Sequence, residues 1–461
     1  MKKHKLLSCL LALTLALGQI APALAAEEVR VQAPSIWAVE ALADSYALGL
    51  VDDNYSLYIE DTITQEGLAA MTAIVADKLA LLELAVNTRP AGELVIDSTR
   101  GGVINALYQE AAAYALPGIE DAPADYLVGL GVVKGGQTGD LMLDRACSYQ
   151  EAMIMARRLI LALYDAHDAG SKGFLWKAVN GGNTLYLLGT IHVDRSNVYP
   201  FHKSLRQAIE ESQEAIFEVD FSDARDMAEF AAMQVYSDGT GLKDHISPTL
   251  YADVVEILTQ LGMDEATINT IKPWVLSLTF NNLLTANETT GSNAVAIDLH
   301  ITAAAMNAGK KIGAVETMAY QGAIFDTMDE ESQIESLTAS VALFKAAQSG
   351  EEPTDEEARE LLAALEEQNA LLDTWMEAWK NRDPATFEAS YGKKEVLDSG
   401  DEMSASLFTD RDPNMIKAAA RYLETEGENI FFMAVGAGHM IDPGGIISGL
   451  RELGYTVELV K

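Results

Sequence analysis

The chain has 461 residues, with 69 acidic against 32 basic side chains and a formal net charge of −37. Hydrophobic residues make up 49% and charged residues 22%, enough apolar material for a buried core, which excludes a disordered acidic tail protein. The acidity excludes nucleic acid as a partner, since phosphates need a basic face, and disfavours anionic membrane surfaces.

The length predicts two or three domains. Lys2, Lys3 and Lys5 precede an apolar run over 6–17, then Pro22 and the small-x-small triplet Ala23-Leu24-Ala25. That order predicts a secretory signal peptide over 1–25 and an extracellular protein. The run is shorter than the roughly 20 residues a membrane span needs, and no later segment is long enough, so no transmembrane span is expected after cleavage. Cleavage would remove Cys9 and leave Cys147 as the only cysteine. An intramolecular disulfide and a thiolate zinc site are then both excluded.

Residues 27–166 read as helical. Apolar positions recur at helical spacing from Ile36 to Leu48, and Gly49 ends the pattern. Thr62-Ile63-Thr64 leads into a helix over 65–84. A second unit follows: Tyr126 to Leu130, a turn with Gly135, Gly136 and Gly139, and a helix over 149–164. Two helix–loop–helix units make an internal repeat. The stretches WAVEALADSYALGLV, TITQEGLAAM and CSYQEAMIMARRL resemble S-layer homology repeats. The resemblance implies a helical module that anchors an exported protein to a cell-wall polymer, through an arginine in a Thr-Arg-x-Glu helix start. Here Gln65 and Gly67 replace the Arg and Glu of the first unit, and Tyr149 replaces the Arg of the second, which keeps Glu151. The alternative is an accessory domain that merely packs.

Residues 167–172 are small and polar and predict a linker. From 173 to 461 short apolar strands alternate with helices. Strands are expected at 184–188, 215–219, 311–315, 429–435 and 456–460, and helices at 201–214, 250–261, 294–308, 355–380 and 413–424. This predicts an α/β (α+β) domain with a mixed sheet wrapped by helices. The Glu/Ala/Leu-rich stretch 351–380 reads as an amphipathic helix with a solvated face.

Two strands run into the same motif. Leu185–Leu188 leads to Gly189-Thr190-Ile191-His192, and Phe431–Val435 leads to Gly436-Ala437-Gly438-His439. In each, a glycine expected to permit an unusual turn precedes a histidine at the strand exit, the edge where α/β sheets bind ligands. Two further strands end in carboxylates, at Glu218 and Glu316. An ionised glutamate beside a buried run is costly unless paired or metal-bound. Four neighbouring strands would bring His192, His439, Glu218 and Glu316 to one mouth as ligands of a divalent metal. Imidazole and carboxylate suit Zn, Mn, Fe or Co, which acidify a bound water. The competing reading is a metal-free site with histidine as general base. His300 reads as a helix-face residue, and His202 and His245 as surface residues. There is no Walker loop, dinucleotide fingerprint or serine nucleophile elbow.

Residues 175–461 are similar to the TraB/PrgY/GumN family, whose animal relatives are the Tiki Wnt-inactivating proteases. The matching stretches are LWKAVNGGNTLYLLGTIHV, AIFEVD, KPWVLSL, AVAIDLHITAAAMNAGKKIGAVETMAYQ and FFMAVGAGHMIDPGGIISGLRELGYTVELV. The resemblance implies a mixed sheet of the erythromycin-esterase and ChaN-like kind. It implies a metal-dependent peptidase acting on a peptide or protein substrate through His192, His439 and Glu218. The family's second glutamate falls on Glu316, and its late arginine on Arg411, where it would stabilise a developing oxyanion. Asp412 stands where many relatives have Asn. Either Glu218 or Glu316 would be the general base. The bacterial pheromone-shutdown members leave a second expectation open: a non-catalytic protein that sequesters a peptide signal.

Overall fold

A computed structural model describes residues 32–88, 92–136, 139–191, 198–286, 295–349, 356–399 and 402–461. The expected signal segment over 1–25 and His192 both lie outside these residues.

Six strands form one mixed sheet: β1 (Phe174–Asn180), β2 (Asn183–Thr190), β3 (Glu214–Phe217), β4 (Lys311–Ala314), β5 (Ile430–Gly436) and β6 (Thr456–Leu459). Their order is β4-β3-β5-β2-β1-β6. β4, β3, β5 and β2 run parallel, and β1 is antiparallel to both of its neighbours. The fold is therefore α/β, as the pattern of elements predicts. The sequence pattern does not anticipate β1. Its Phe174-Leu175-Trp176 start is buried without alternation, and it turns into β2 through Gly181-Gly182, with Gly181 at φ 58°. This two-residue hairpin is the connection glycine favours.

The inner parallel strands are buried almost continuously, as in a sheet covered on both faces. Helices Lys203–Glu211, Ile297–Asn307 and Arg411–Leu423 pack on them. The segments after β3 and β4 build a second, purely helical core around Trp274, Phe280, Leu337 and Phe344.

In the N-terminal region three helices begin on hydroxyl caps. Thr64 accepts from Gly67 N–H, Thr99 from Gly102 N–H and Ser148 from Glu151 N–H. The three starts are stitched together by main-chain bonds. Ile63 N–H donates to Cys147 O (2.8 Å), Cys147 N–H to Ser98 O (2.9 Å) and Arg100 N–H to Arg145 O (2.8 Å). The repeat pattern in the sequence includes only the first and third of these starts. Gly67 is required by a close approach, since a Cβ there would lie 2.2 Å from the Tyr149 hydroxyl.

This region packs on the rest through the helix Ile36–Ala47, whose Asp44 accepts from Arg157 Nε (2.9 Å) and meets His300 Nε2 (3.2 Å). Burial opposes the Asp44 charge, but His300 and Arg157 outweigh it and hold the carboxyl well below its usual range. His300 lies on the helix Ile297–Asn307, as expected, on its inward face, packed on the rings of Tyr199 and Phe201. His202, expected on the surface, is also buried; it caps Lys203–Glu211. His245 stacks on Tyr236 and pairs with Glu330. Among the described residues Cys147 is buried and free, and no helix is long and apolar enough to cross a membrane.

Candidate functional site

All four parallel strands end at one edge. Thr190 pairs with Gly436, and Phe217 with both Ala314 and Ala434. The ladder continues past β3 and β4: Val315 N–H donates to Phe217 O (3.0 Å) and Glu316 N–H to Glu218 O (2.8 Å). This register sets Glu218 and Glu316 side by side at the mouth, next to the exit of the central strand β5.

Arg411, fully buried at the start of its helix, lies between the two carboxylates. Its Nε donates to both Glu316 oxygens (3.0 and 2.9 Å), and its Nη2 to Glu218 Oε2 (2.9 Å). Burial works against the guanidinium charge, but Glu218 and Glu316 overcome it and raise the arginine above its ordinary pKa. Gln321 adds a second bridge, its Nε2 donating to Glu218 Oε2 (3.0 Å) and Glu316 Oε2 (3.1 Å). The other Glu218 oxygen accepts from Gly436 N–H (2.5 Å). Asp226 fixes the turn after Glu316 by accepting from Met318 N–H (2.6 Å) and Ala319 N–H (3.1 Å).

His439 stands on a single helical turn, Ala437–Met440, directly after β5. The unusual turn expected of its motif glycine is not needed, since Gly436 has φ −51°. Glycine is required for close packing instead. A Cβ on Gly438 would lie 2.6 Å from the Tyr391 hydroxyl, and one on Gly189 would lie 3.1 Å from Ala437 Cα. His439 Nδ1 bonds Asp412 Oδ1 (2.6 Å), and its Nε2 lies 4.0 Å from Glu218 Oε1. Asp412 Oδ2 in turn accepts from Lys393 Nζ (2.7 Å). Burial pushes the Lys393 amine below its usual pKa, against the pull of Asp412.

A small recess opens beside this cluster. Glu218, His439 and Thr190 line it on one side, and Trp375, Phe387, Tyr391 and Phe408 on the other. Glu316 and Arg411 do not line it. The aromatic wall comes from helices Glu356–Asn381, Pro384–Tyr391 and Glu402–Thr409, in and beyond a stretch the sequence marks only as solvated. Gln321 and Lys393 also carry no local mark in the sequence; for Gln321 the sole hint is its place in a helix start, a helical turn beyond Thr317, which caps the helix Met318–Asp326.

The structure thus brings together Glu218, Glu316, Arg411 and His439. His192 falls outside the described residues, although β2 ends on the same edge two residues before it. Among the described residues no group of three or more His, Cys, Asp or Glu side chains is arranged to hold a metal. The donor chemistry of His439 nevertheless fits one. Its Nδ1 is tied to a carboxylate, the arrangement that orients metal-binding imidazoles, and its Nε2 shares the recess with a carboxylate oxygen of Glu218. Three carboxylates (Glu218, Glu316, Asp412) face two cations (Arg411, Lys393) here, an excess of negative charge that favours an added cation.

Residues 174–459 match the model of the TraB/PrgY/gumN family. The chain is 24% identical to "Metalloprotease TIKI1" of Danio rerio, over 62% of each chain. It is 22% identical to "Metalloprotease TIKI homolog" of Nematostella vectensis, over 62% of this chain and 67% of that one. It is 23% identical to "Metalloprotease TIKI2" of Xenopus tropicalis, over 62% and 59%. The chain spans about six tenths of the length of these curated relatives. No solved structure matches it. From the family match over the whole sheet domain, the chain belongs to the TraB/PrgY/gumN family.

Proposed function

We propose that the protein is a secreted or cell-surface, metal-dependent, peptidase-like hydrolase acting on peptides or exposed protein segments. The observation that carries this reading is the pairing at the recess floor: an imidazole with its Nδ1 engaged, and a carboxylate already ordered by three donors. The names of the relatives support it.

His439, together with His192 two residues past the end of β2, would hold the divalent ion (Zn, Mn, Co or Fe), with Glu218 beside it as base. Bound there, such an ion supplies a Lewis acid toward a scissile carbonyl. Glu218 takes the proton of the attacking water at Oε1 and returns it to the leaving amine. Arg411 and Gln321 keep Glu218 aimed, and Glu316 anchors both of them. Arg411 therefore acts by positioning, since it is buried away from the recess. The aromatic wall excludes water from the reacting groups.

The N-terminal region is proposed as a presenting module, S-layer homology-like in its capped helix starts, which would reach a cell-wall polymer. The basic-then-apolar start and the Ala23-Leu24-Ala25 triplet support export.

One observation favours a second reading, capture of a peptide without cleavage. Both glutamates are committed to Arg411. Peptide cleavage by wild type, His192→Ala and Glu218→Gln, with and without a chelator, separates the two. The hydrolase reading expects cleavage abolished by chelator and by each substitution. Cleavage indifferent to chelator and to His192→Ala contradicts the metal mechanism. Retained peptide with no cleavage in any sample supports capture.

A further inference from the structure

Lys393 is the least expected charge in the molecule. It is 1% exposed, while the adjacent Lys394 lies at the surface and pairs with Asp398. Its Nζ has two oxygen partners, Asp412 Oδ2 (2.7 Å) and Ile441 O (2.8 Å), and lies 4.9 Å from the Phe408 ring centroid. Ile441 is two residues beyond His439. Lys393 thus grips both the carboxylate that holds the His439 ring and the main chain that carries it.

We infer that Lys393, acting through Asp412, fixes which ring nitrogen of His439 is offered to the recess. Asp412 has two oxygens and two partners, Lys393 on Oδ2 and His439 Nδ1 on Oδ1. An ionised carboxylate only accepts, so Nδ1 must carry the proton and donate it. Nε2 is then left with its lone pair, facing Glu218. Lysine only donates, so it always claims an oxygen of residue 412. With an aspartate there, a second oxygen remains for the histidine. With an asparagine there, the ammonium would take the single oxygen and turn the amide NH₂ toward Nδ1. That reverses the tautomer and puts a proton on Nε2. Lys393 is therefore a positioning residue, and it makes the carboxylate at 412 obligatory in this chain. The consequence for hydrolysis rests on the function proposed above; the tautomer does not.

The test uses full-length protein labelled with ¹⁵N-histidine, with His439 assigned by its loss in His439→Gln, at a pH where the ring is neutral. Imidazole ¹⁵N shifts report which nitrogen is protonated. Wild type is expected to show a protonated Nδ1 and a bare Nε2. Asp412→Asn is expected to show the reverse. The double variant Lys393→Met/Asp412→Asn frees the amide to rotate and is expected to restore the wild-type tautomer. Peptide cleavage should follow the same order: a drop of roughly 10–100-fold in kcat for Asp412→Asn, as for other partners of metal-binding histidines, and recovery in the double variant. A wild-type tautomer in Asp412→Asn, or the same tautomer in single and double variants, overturns the inference. If Asp412→Asn does not fold, the double variant decides: folding with the wild-type tautomer supports the inference, and anything else overturns it. A wild type that cleaves no peptide yet shows this tautomer pattern removes the hydrolase reading and leaves the role of Lys393 standing.

Discussion

The guanidinium of Arg411 meets Glu316 through two nitrogens, Nε at 3.0 and 2.9 Å from the two carboxylate oxygens and Nη2 at 2.9 Å from Oε2, in a site with no exposure on the arginine. The same Nη2 also donates to Glu218 Oε2 (2.9 Å) and so ties the two carboxylates together. One buried cation orders two carboxylates, and only Glu218 reaches the recess. Removing the cation leaves two uncompensated charges inside the fold. Arg411→Met is expected to cost about 3–5 kcal/mol in urea unfolding. Arg411→Lys should not restore it, because an ammonium lacks the planar fork that spans both partners. An unfolding midpoint within experimental error of wild type for Arg411→Met would contradict this arrangement.

Gln321 is the neutral counterpart of Arg411, donating to both glutamates at 3.0 and 3.1 Å. Gln321→Leu keeps the volume and removes both bonds. Hydrogen bonds to charged groups contribute about 1.5–3 kcal/mol, so a loss of that size is expected, together with slower cleavage. Gln321→Glu should be worse than Gln321→Leu, since a third carboxylate would face the first two. Equal stability of the two variants would show that the bridge does not bear on Glu218.

These residues mark what the sequence could carry. Strand exits and their terminal residues were legible, because a run such as Phe431–Val435 needs a buried strand and Glu218 needs a reason to end one. The order that makes the exits adjacent was not, since β5 inserts between β2 and β3 from more than 200 residues away. Gln321, Lys393 and the aromatic wall were illegible for the same reason. Nothing local separates Lys393 from Lys394, yet one is buried and the other exposed. The helix start at Thr99-Arg100 has no counterpart in a two-unit repeat, yet three starts share one main-chain network.

Gly438 tests the close packing that seats His439. A methyl group there would lie 2.6 Å from the Tyr391 hydroxyl and 2.9 Å from its ring. Gly438→Ala is expected to lose about 1–3 kcal/mol through overpacking and to lower cleavage by displacing the helical turn. Full activity in a variant of wild-type thermal midpoint would mean that Tyr391 moves aside freely.

Lys78 gives the fold a pH dependence. Its Nζ is buried where the N-terminal region meets Tyr199 O (2.9 Å). Burial lowers its pKa from 10.5 to about 8, with only a small opposing pull from Asp77. Between those values the unfolded chain binds more protons than the folded one, so this group makes stability rise with pH across the window. Lys78→Met should flatten the rise, by at most about 1.4 kcal/mol per pH unit. Denaturant curves for both proteins across that window supply the check; parallel pH profiles would count against the burial of a charge at this junction.

The central claim is that His439 and Glu218 form part of a divalent-metal centre that cleaves peptides. Calorimetric titration of metal-stripped wild type, His439→Ala and Glu218→Gln with zinc, manganese and cobalt tests it most directly. One divalent ion per wild-type chain is expected for at least one metal, restoring cleavage as it binds, with loss of that site in His439→Ala. Binding of no divalent ion by wild type, or unchanged binding and cleavage in His439→Ala, would contradict it.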